Sequence, residues 1–142
     1  MKKLAINTFA ILSLVLVVSA VSYAQGTRLV KKVEIPFEFS VNNKVLPAGV
    51  YNVERTNDNV LFIRSEDNKE ASASLTVAVE ANAAQESGSM VFHRYGDTYF
   101  LFQVWERGAA NGRQLLKSRT ERSVDSETEE SAAPSNVVVP MR

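Results

Sequence analysis

The stretch "VFHRYGDTYFLFQVW", Val91 to Trp105, decides the fold and contains the only histidine and the only tryptophan of the chain. Its central pair, Gly96-Asp97, lies between two runs of strand-forming residues. Such a pair is typical of a two-residue β-hairpin turn, because glycine readily adopts the positive φ that the first central position requires. The hairpin predicts the cross-strand pairs Tyr95 with Thr98, Arg94 with Tyr99, His93 with Phe100, Phe92 with Leu101, and Val91 with Phe102.

Both faces of this hairpin are largely apolar. Alternation places on one face Val91, His93, Tyr95, Phe100, Phe102 and Val104, and on the other Phe92, Arg94, Tyr99, Leu101 and Trp105. Two apolar faces indicate a central strand pair buried on both sides, or a pair with the core on one face and a helix or tail on the other. We also expect Arg94 and Tyr99 to form a cation–aromatic pair.

The same alternation continues along most of the chain. Apolar residues recur at every second position from Val33 to Val41. Pro36 in this run cannot donate a ladder hydrogen bond, which indicates an edge strand or a position whose N–H would point away from the neighbouring strand. Asn42-Asn43 predicts a tight turn. Further strands are predicted around residues 51–54, 61–64, 72–81 and 114–117. The roughly 8 to 12 residue spacing predicts an all-β fold, an antiparallel sandwich or a small barrel of about seven to nine strands.

The C-terminal third begins with a helix signal. The segment "SRTE", Ser118 to Glu121, has the form of a capping box, in which each of the two side chains binds the other residue's free backbone N–H. It predicts a short helix near residues 119–124. Residues 125–135 are acidic and poor in apolar side chains, which is typical of a linker, and residues 136–142 are expected to form a C-terminal strand or a tail.

The first 24 residues have the three parts of a secretory signal peptide. Lys2 and Lys3 precede an apolar run, and the small residues Ser22 and Ala24 stand where a signal peptidase requires them. The alternative is an uncleaved membrane anchor, since the segment approaches the roughly 20 residues that span a bilayer. Cleavage after Ala24 would leave a β-domain at residues 25–124, with its C-terminal extension, in the periplasm or outside the cell and without a membrane span.

Charge and composition restrict the partners and cofactors. Without Lys2 and Lys3, 14 basic side chains face 16 acidic ones, a balance that attracts neither nucleic acid nor an anionic membrane. With no cysteine and one histidine, the usual zinc ligand sets are excluded. Phosphate-binding loops and dinucleotide-binding patterns are absent, so no cofactor and no metal are predicted. The segment "EDNKE", residues 66–70, lacks calcium-loop spacing and is interpreted as a solvated turn.

His93 is the residue that invites a catalytic interpretation. A general base is usually oriented by a second group, and Asp97, at the hairpin tip, is badly placed to orient the imidazole. The chain has no cysteine nucleophile and no serine in a nucleophile elbow. We therefore predict no catalytic residue, and we expect His93 to stack near Phe100 with its polar edge satisfied by local partners.

Two blocks of the sequence resemble a known family. They are "IPFEFSVNNKVLPAGVY", residues 35–51, and "VFHRYGDTYFLFQVW" followed by "GRQLLKSRTERS", residues 112–123. The family is an uncharacterised group of small exported bacterial proteins with an Ile-Pro-Phe start, a Leu-Pro-Ala-Gly-x-Tyr turn and a His-Arg-Tyr-Gly-Asp hairpin. The resemblance implies an all-β fold and no particular activity, cofactor or site. The chain departs from the family at Leu116, where the family commonly carries proline.

Three functions follow as hypotheses. The first is a non-enzymatic exported β-domain that binds an unknown protein or small-molecule partner or contributes to the cell envelope. The second is a small carrier of a hydrophobic ligand, because ten aromatic residues of the processed chain could line a barrel interior. The third is a hydrolase that uses His93 with Arg94 or Tyr95. The sequence favours them in this order, since it contains no convergent catalytic set.

Overall fold

The structure is a computed structural model that describes residues 30–128 and 133–142. In these ranges the chain forms ten strands and one helix, which confirms the predicted all-β class. The strands are β1 (Val30–Ile35), β2 (Phe39–Val41), β3 (Lys44–Leu46), β4 (Gly49–Asn57), β5 (Val60–Ser65), β6 (Ala71–Glu80), β7 (Ser89–Tyr95), β8 (Thr98–Trp105), β9 (Asn111–Leu115) and β10 (Ser135–Pro140), and helix α1 (Arg119–Thr128) precedes β10. The predicted signal peptide, residues 1–24, lies outside these ranges. No helix in the described part of the chain has the length and apolar character needed to cross a membrane.

All ten strands belong to one sheet that folds over on itself. β1, β4, β5 and β6 pair antiparallel in that order. The first half of β6, residues 71–75, pairs with β5, whereas residues 76–80 pair with β9, so β6 carries the chain from one layer into the next. The second layer continues through β9, β8, β7 and β10, and the β2–β3 hairpin joins β8 by one parallel pair.

The two ends of the sheet meet at β1 and β10 without closing it into a barrel. A single bridge pairs Val33 with Met141. Continued in the same register, the ladder would next have to include Pro140 on β10 and then Pro36 on β1. Neither residue has an N–H to donate, which explains why the ladder stops after one bridge. Of the two predicted architectures, the open sheet is consistent with the sandwich.

Pro36 also corrects the prediction of a single strand from Val33 to Val41. The chain leaves the sheet at residues 36–38, and the two halves become β1 and β2 in different parts of the sheet. The proline ring fixes φ and removes a ladder donor, so the alternation continues in the sequence although the strand does not. The turn at Asn42-Asn43 is confirmed, with a φ of 60° at Asn42.

The space between the two layers is filled by aromatic and aliphatic side chains. Phe39 packs edge to face against Tyr51 and Phe92, with ring centroids 5.2 and 5.5 Å apart, and Phe37 meets Phe92 in the same way at 5.2 Å. The Tyr51 hydroxyl donates to the carbonyl of Pro47 at 2.6 Å, which satisfies the polar end of a buried ring. The interior is therefore a packed core.

Strand β6 is confirmed as a strand but carries its apolar side outward. Ser74 and Thr76 are buried, at 8% and 5% exposure, whereas Leu75 and Val77 are 64% and 43% exposed. The buried hydroxyl of Ser74 donates to the carbonyl of Leu75 at 3.3 Å. Alternation therefore identifies this strand without showing which of its sides faces the core.

The C-terminal segment returns to the sheet. Helix α1 begins at Arg119, as predicted, and continues to Thr128, so residues 125–128 of the expected linker are helical. Residues 135–140 form β10, which pairs antiparallel with β7. The strand alternative for this end of the chain is thus confirmed.

Candidate functional site

The outer face of the β7–β8 hairpin holds His93. The four predicted pairs nearest the turn are confirmed, and Gly96 has the expected positive φ, 60°. His93 is 8% exposed, and its ring stacks on that of Phe102 with the centroids 3.8 Å apart. The predicted stacking on Phe100 is therefore wrong, although Phe100 is the cross-strand partner of His93.

A β-bulge explains the difference. Val91 pairs with Gln103 and not with Phe102, because β8 contains one extra residue at this point. Beyond the bulge Val104 pairs with Met90 and points into the core, where it is 6% exposed. The prediction that put Val104 on the histidine's face is wrong, since a bulge reverses the alternation that follows it. The turn residues determine the register only as far as the bulge.

The tip of the hairpin is occupied by Arg94 and Asp97. The Arg94 guanidinium lies 5.5 Å from the centroid of the Tyr99 ring, which confirms the predicted cation–aromatic pair. Its Nε donates to the carbonyl of Gly96 at 2.7 Å, and another nitrogen lies 3.7 Å from the Asp97 carboxylate. Asp97 is thus engaged at the tip, away from the imidazole.

Helix α1 supplies the partner of His93. Oε1 of Glu121 lies 2.7 Å from Nδ1 of His93, and the exposed fractions of the two side chains are 5% and 10%. An ionised carboxylate only accepts hydrogen bonds, so beside ionised Glu121 the proton of this bond is on Nδ1 of His93. The partner stands 28 residues further along the chain, which corrects the prediction that local groups satisfy the imidazole.

A second connection joins the same helix to the same strand. The Tyr95 hydroxyl donates to Oδ1 of Asp125 at 2.9 Å, and Nζ of Lys117 binds the other carboxylate oxygen. These hydrogen bonds, first from Lys117 and then from Tyr95, lower the pKa of Asp125, while burial and the bond to Asp125 raise the pKa of Tyr95. Together the His93–Glu121 pair and the Tyr95–Asp125–Lys117 group form the polar clasp.

The start of α1 shows why the sequence misses the clasp. The Ser118 hydroxyl accepts a hydrogen bond from the N–H of Glu121 at 3.0 Å, as a capping box requires. The second half of the box is not made in the predicted way, because the Glu121 carboxylate binds His93 instead. The spacing of Ser118 and Glu121 identifies the helix start, whereas the contact with β7 depends on the three-dimensional fold.

A histidine beside a carboxylate has the composition of an oriented general base. Here the imidazole is enclosed by Phe102 on one side and α1 on another, and it is 8% exposed. A cleft of about 300 Å³ opens beside the clasp, with Arg94, Tyr95 and Thr128 in its lining, but His93 does not reach it. In this arrangement the pair joins α1 to β7, and the imidazole is closed off from the cleft.

The second candidate site is the outer side of β5 and β6. Leu75, Val77 and Leu116 are 64%, 43% and 59% exposed. Leu115 pairs with Thr76, which brings Leu116 beside Leu75, and half-buried Val60 and Phe62 continue the surface on β5. Together these residues form the apolar face: Val60, Phe62, Leu75, Val77 and Leu116.

Polar and aromatic groups border the apolar face. Nε1 of Trp105 donates to Oε1 of Gln103 at 3.1 Å, and Nε2 of Gln103 donates to Oε1 of Gln114 at 2.9 Å. Gln114 pairs with Val77, so this row runs along the edge of the face. On the opposite border the Arg64 guanidinium lies 5.0 Å from the centroid of the Phe62 ring.

Residues 66–70 form the third site of interest. Oδ1 of Asp67 accepts hydrogen bonds from the Ser65 hydroxyl at 2.6 Å and the Lys69 N–H at 3.1 Å, and these bonds lower the pKa of Asp67. Glu70 pairs with Lys44 at 2.8 Å. Over residues 30–128 and 133–142, no cluster of three possible metal ligands occurs. The geometry is that of the solvated turn that the sequence predicts, beside a cleft of about 470 Å³.

Comparison with known proteins adds no relative to this description. No family model, no curated protein and no solved structure matches the chain.

Proposed function

We propose that this chain is an exported, non-enzymatic β-domain that binds a protein partner through the apolar face. The observation that supports this most is the inversion of β6, which leaves Leu75 64% exposed while its neighbour Ser74 is buried. Contiguous exposed apolar side chains are typical of interaction sites. Export is the expectation from residues 1–24, and the resemblance to small exported bacterial proteins agrees with it.

The chemistry of the surface favours a protein as the partner. The five side chains of the apolar face carry no charge, and polar groups from Gln103, Gln114 and Arg64 stand around it. An apolar centre with a polar rim is the usual organisation of a protein–protein interface. A partner with an anionic surface would instead require several exposed basic side chains on this face of the protein.

The burial of His93 supports a non-enzymatic role. A hydrolase would need the imidazole within hydrogen-bond reach of a substrate. His93 already donates to Glu121 and is stacked on Phe102 beneath a helix. Its position in the polar clasp accounts for the residue without a reaction.

A carrier of a small hydrophobic ligand is the second candidate. The core aromatic rings fill the space that such a ligand would occupy inside the fold. A cleft of about 500 Å³ remains on the outside at the β1–β10 seam, lined in part by Val33, Pro36, Val50 and Pro140, and its volume is within the range of ligand pockets. Native mass spectrometry with dodecanoate distinguishes the two proposals. A carrier predicts a dodecanoate adduct that the substitution Val50→Asp removes. Binding of a protein partner through the apolar face predicts no such adduct.

Site-specific photo-crosslinking in the exporting cell tests the proposed function. A photoreactive residue replaces Leu75 in one variant and Val138, 61% exposed on β10, in a matched control. We expect a discrete cross-linked protein from position 75 and none from position 138; a product of twice the chain mass would identify a second copy as the partner. No product from position 75, or the same product from both positions, would contradict the proposal.

A further inference from the structure

Helix α1 is attached to the sheet mainly through polar contacts. Its sequence, "RTERSVDSET", contains one aliphatic residue, Val124, and its buried residue is Glu121. Helices in globular proteins are normally held by an apolar stripe, and a free helix of ten residues is only marginally stable in water. The polar clasp therefore attaches α1 to the sheet, as apolar packing holds together the rest of the fold.

The surface beneath α1 is aromatic and separate from the main core. Tyr95 and Phe100 are 5% and 2% exposed, and their rings meet edge to face with centroids 5.8 Å apart. Neither belongs to the cluster of core side chains between the two layers. His93 and Phe102 continue this surface along the hairpin, and α1 contacts it from outside through β7.

We infer that α1 is a cover that the polar clasp holds closed, and that it opens as a unit and uncovers His93 and Tyr95, on which Phe102 and Phe100 pack, while the sheet stays folded. Glu121 faces His93, and Asp125 faces Tyr95 and Lys117. Water replaces these hydrogen bonds when the helix leaves, so the clasp favours the closed helix only by the net difference, and opening does not require the sheet to unfold. Because the main core stays intact, the departure of α1 is a local opening of the kind that low-stability elements undergo.

Hydrogen exchange of the full chain, followed by mass spectrometry at low denaturant concentration, tests the inference. We expect the amides of residues 119–128 to exchange about 100-fold faster than those of β4, β5 and β6, because a cover opens without unfolding the sheet. Equal rates in the helix and in the sheet would overturn the inference, since α1 would then leave only on global unfolding.

Substitution of the clasp shows what holds the cover. We expect Glu121→Gln combined with Asp125→Asn to accelerate exchange in α1 by about a further tenfold and to increase binding of an apolar fluorescent dye. Glu127→Gln is the matched control, because Glu127 is an exposed carboxylate on the same helix. An equal effect of the control and of the double variant would overturn the inference. If the double variant does not fold, the wild-type comparison of helix and sheet decides alone.

Discussion

Two outer surfaces of this sheet, one on β7–β8 and one on β5–β6, are both apolar, but only the first is covered. On β7–β8 an aromatic surface is covered by a strongly polar helix, and His93 beneath it is 8% exposed. On β5–β6 the apolar face stays open, and Leu75 is 64% exposed. Apolar content alone therefore does not determine which surface of the sheet is covered. What distinguishes β7–β8 is that it offers hydrogen-bonding groups, His93 and Tyr95, to the segment that covers it.

Polar residues also differ in their role on the two surfaces. Burying a carboxylate costs free energy unless it is paired and hydrogen-bonded. Glu121 is buried with His93 as its hydrogen-bond partner. Because the buried carboxylate needs this partner, α1 docks specifically beside His93. The five side chains of the apolar face carry no such groups.

Among changes on the two outer surfaces, the largest effect is expected when the clasp is broken. Glu121→Ala removes the carboxylate and leaves a buried imidazole without its partner, which is expected to lower the free energy of unfolding by about 3 kcal/mol. Glu127→Ala, on the exposed side of α1, is expected to change it by less than about 0.5 kcal/mol. Chemical denaturation measures both values. Equal values for the two variants would remove the distinction between the covered and the open surface.

A somewhat smaller effect is expected at the border of the apolar face. A Cβ added to Gly112 would lie 2.6 Å from the Trp105 ring, so Gly112→Ala must displace the indole. We expect a loss of about 2 kcal/mol and a red shift of the tryptophan emission, because the ring moves into solvent. Unchanged emission would show that the row of Trp105, Gln103 and Gln114 is not fixed by this contact.

The pH dependence of the covered surface follows from two residues of the clasp. The hydrogen bonds from Lys117 and Tyr95 lower the pKa of Asp125, so its contribution to stability is present above the unfolded value of about 3.9 and is lost as the pH falls through the folded value. Burial raises the pKa of Tyr95, so its contribution is present below the unfolded value of about 10 and is lost as the pH rises through the folded value.

For these two groups we therefore expect stability to be level from about pH 4 to pH 10 and to decline outside that window. Thermal unfolding of the wild-type chain and of Tyr95→Phe across this range is the measurement. The substitution should remove the alkaline decline that Tyr95 causes. An identical alkaline limb in both proteins would contradict the assignment to Tyr95.

The smallest effect is expected on the open surface. Leu75→Ser is expected to change the free energy of unfolding by less than about 0.5 kcal/mol, because the side chain is already in water. Leu61→Ser, at a site 4% exposed on the inner side of β5, is expected to cost about 3 kcal/mol or more. A large loss of stability from Leu75→Ser would show that the apolar face is covered within the protein.

The sequence predicts the parts of the fold that depend on short-range chemistry. Gly96-Asp97 and Asn42-Asn43 identify two turns, and Ser118 identifies the start of α1. Period-two alternation identifies β6 as a strand. Each of these signals lies within a few neighbouring residues, where backbone sterics and local hydrogen bonds determine the structure.

The parts that the sequence misses depend on contacts between distant residues. The bulge at Phe102 reverses the alternation of β8 without a glycine or proline to mark it. Glu121 has two possible partners, the helix N-terminus and His93, and the fold determines which one it takes. The sequence likewise does not predict which side of β6 faces solvent. This strand has serine and threonine on one side and aliphatic residues on the other, and a sheet that bends can bury either side.

Covalent footprinting of the folded chain tests most directly whether one surface is covered and the other open. Hydroxyl radicals label exposed aliphatic and aromatic side chains, and diethyl pyrocarbonate labels exposed histidine. The structure predicts strong labelling at Leu75 and Leu116 and protection of His93, Tyr95 and Phe100 at neutral pH. Ready modification of His93, or protection of Leu75 in the isolated protein, would contradict the account.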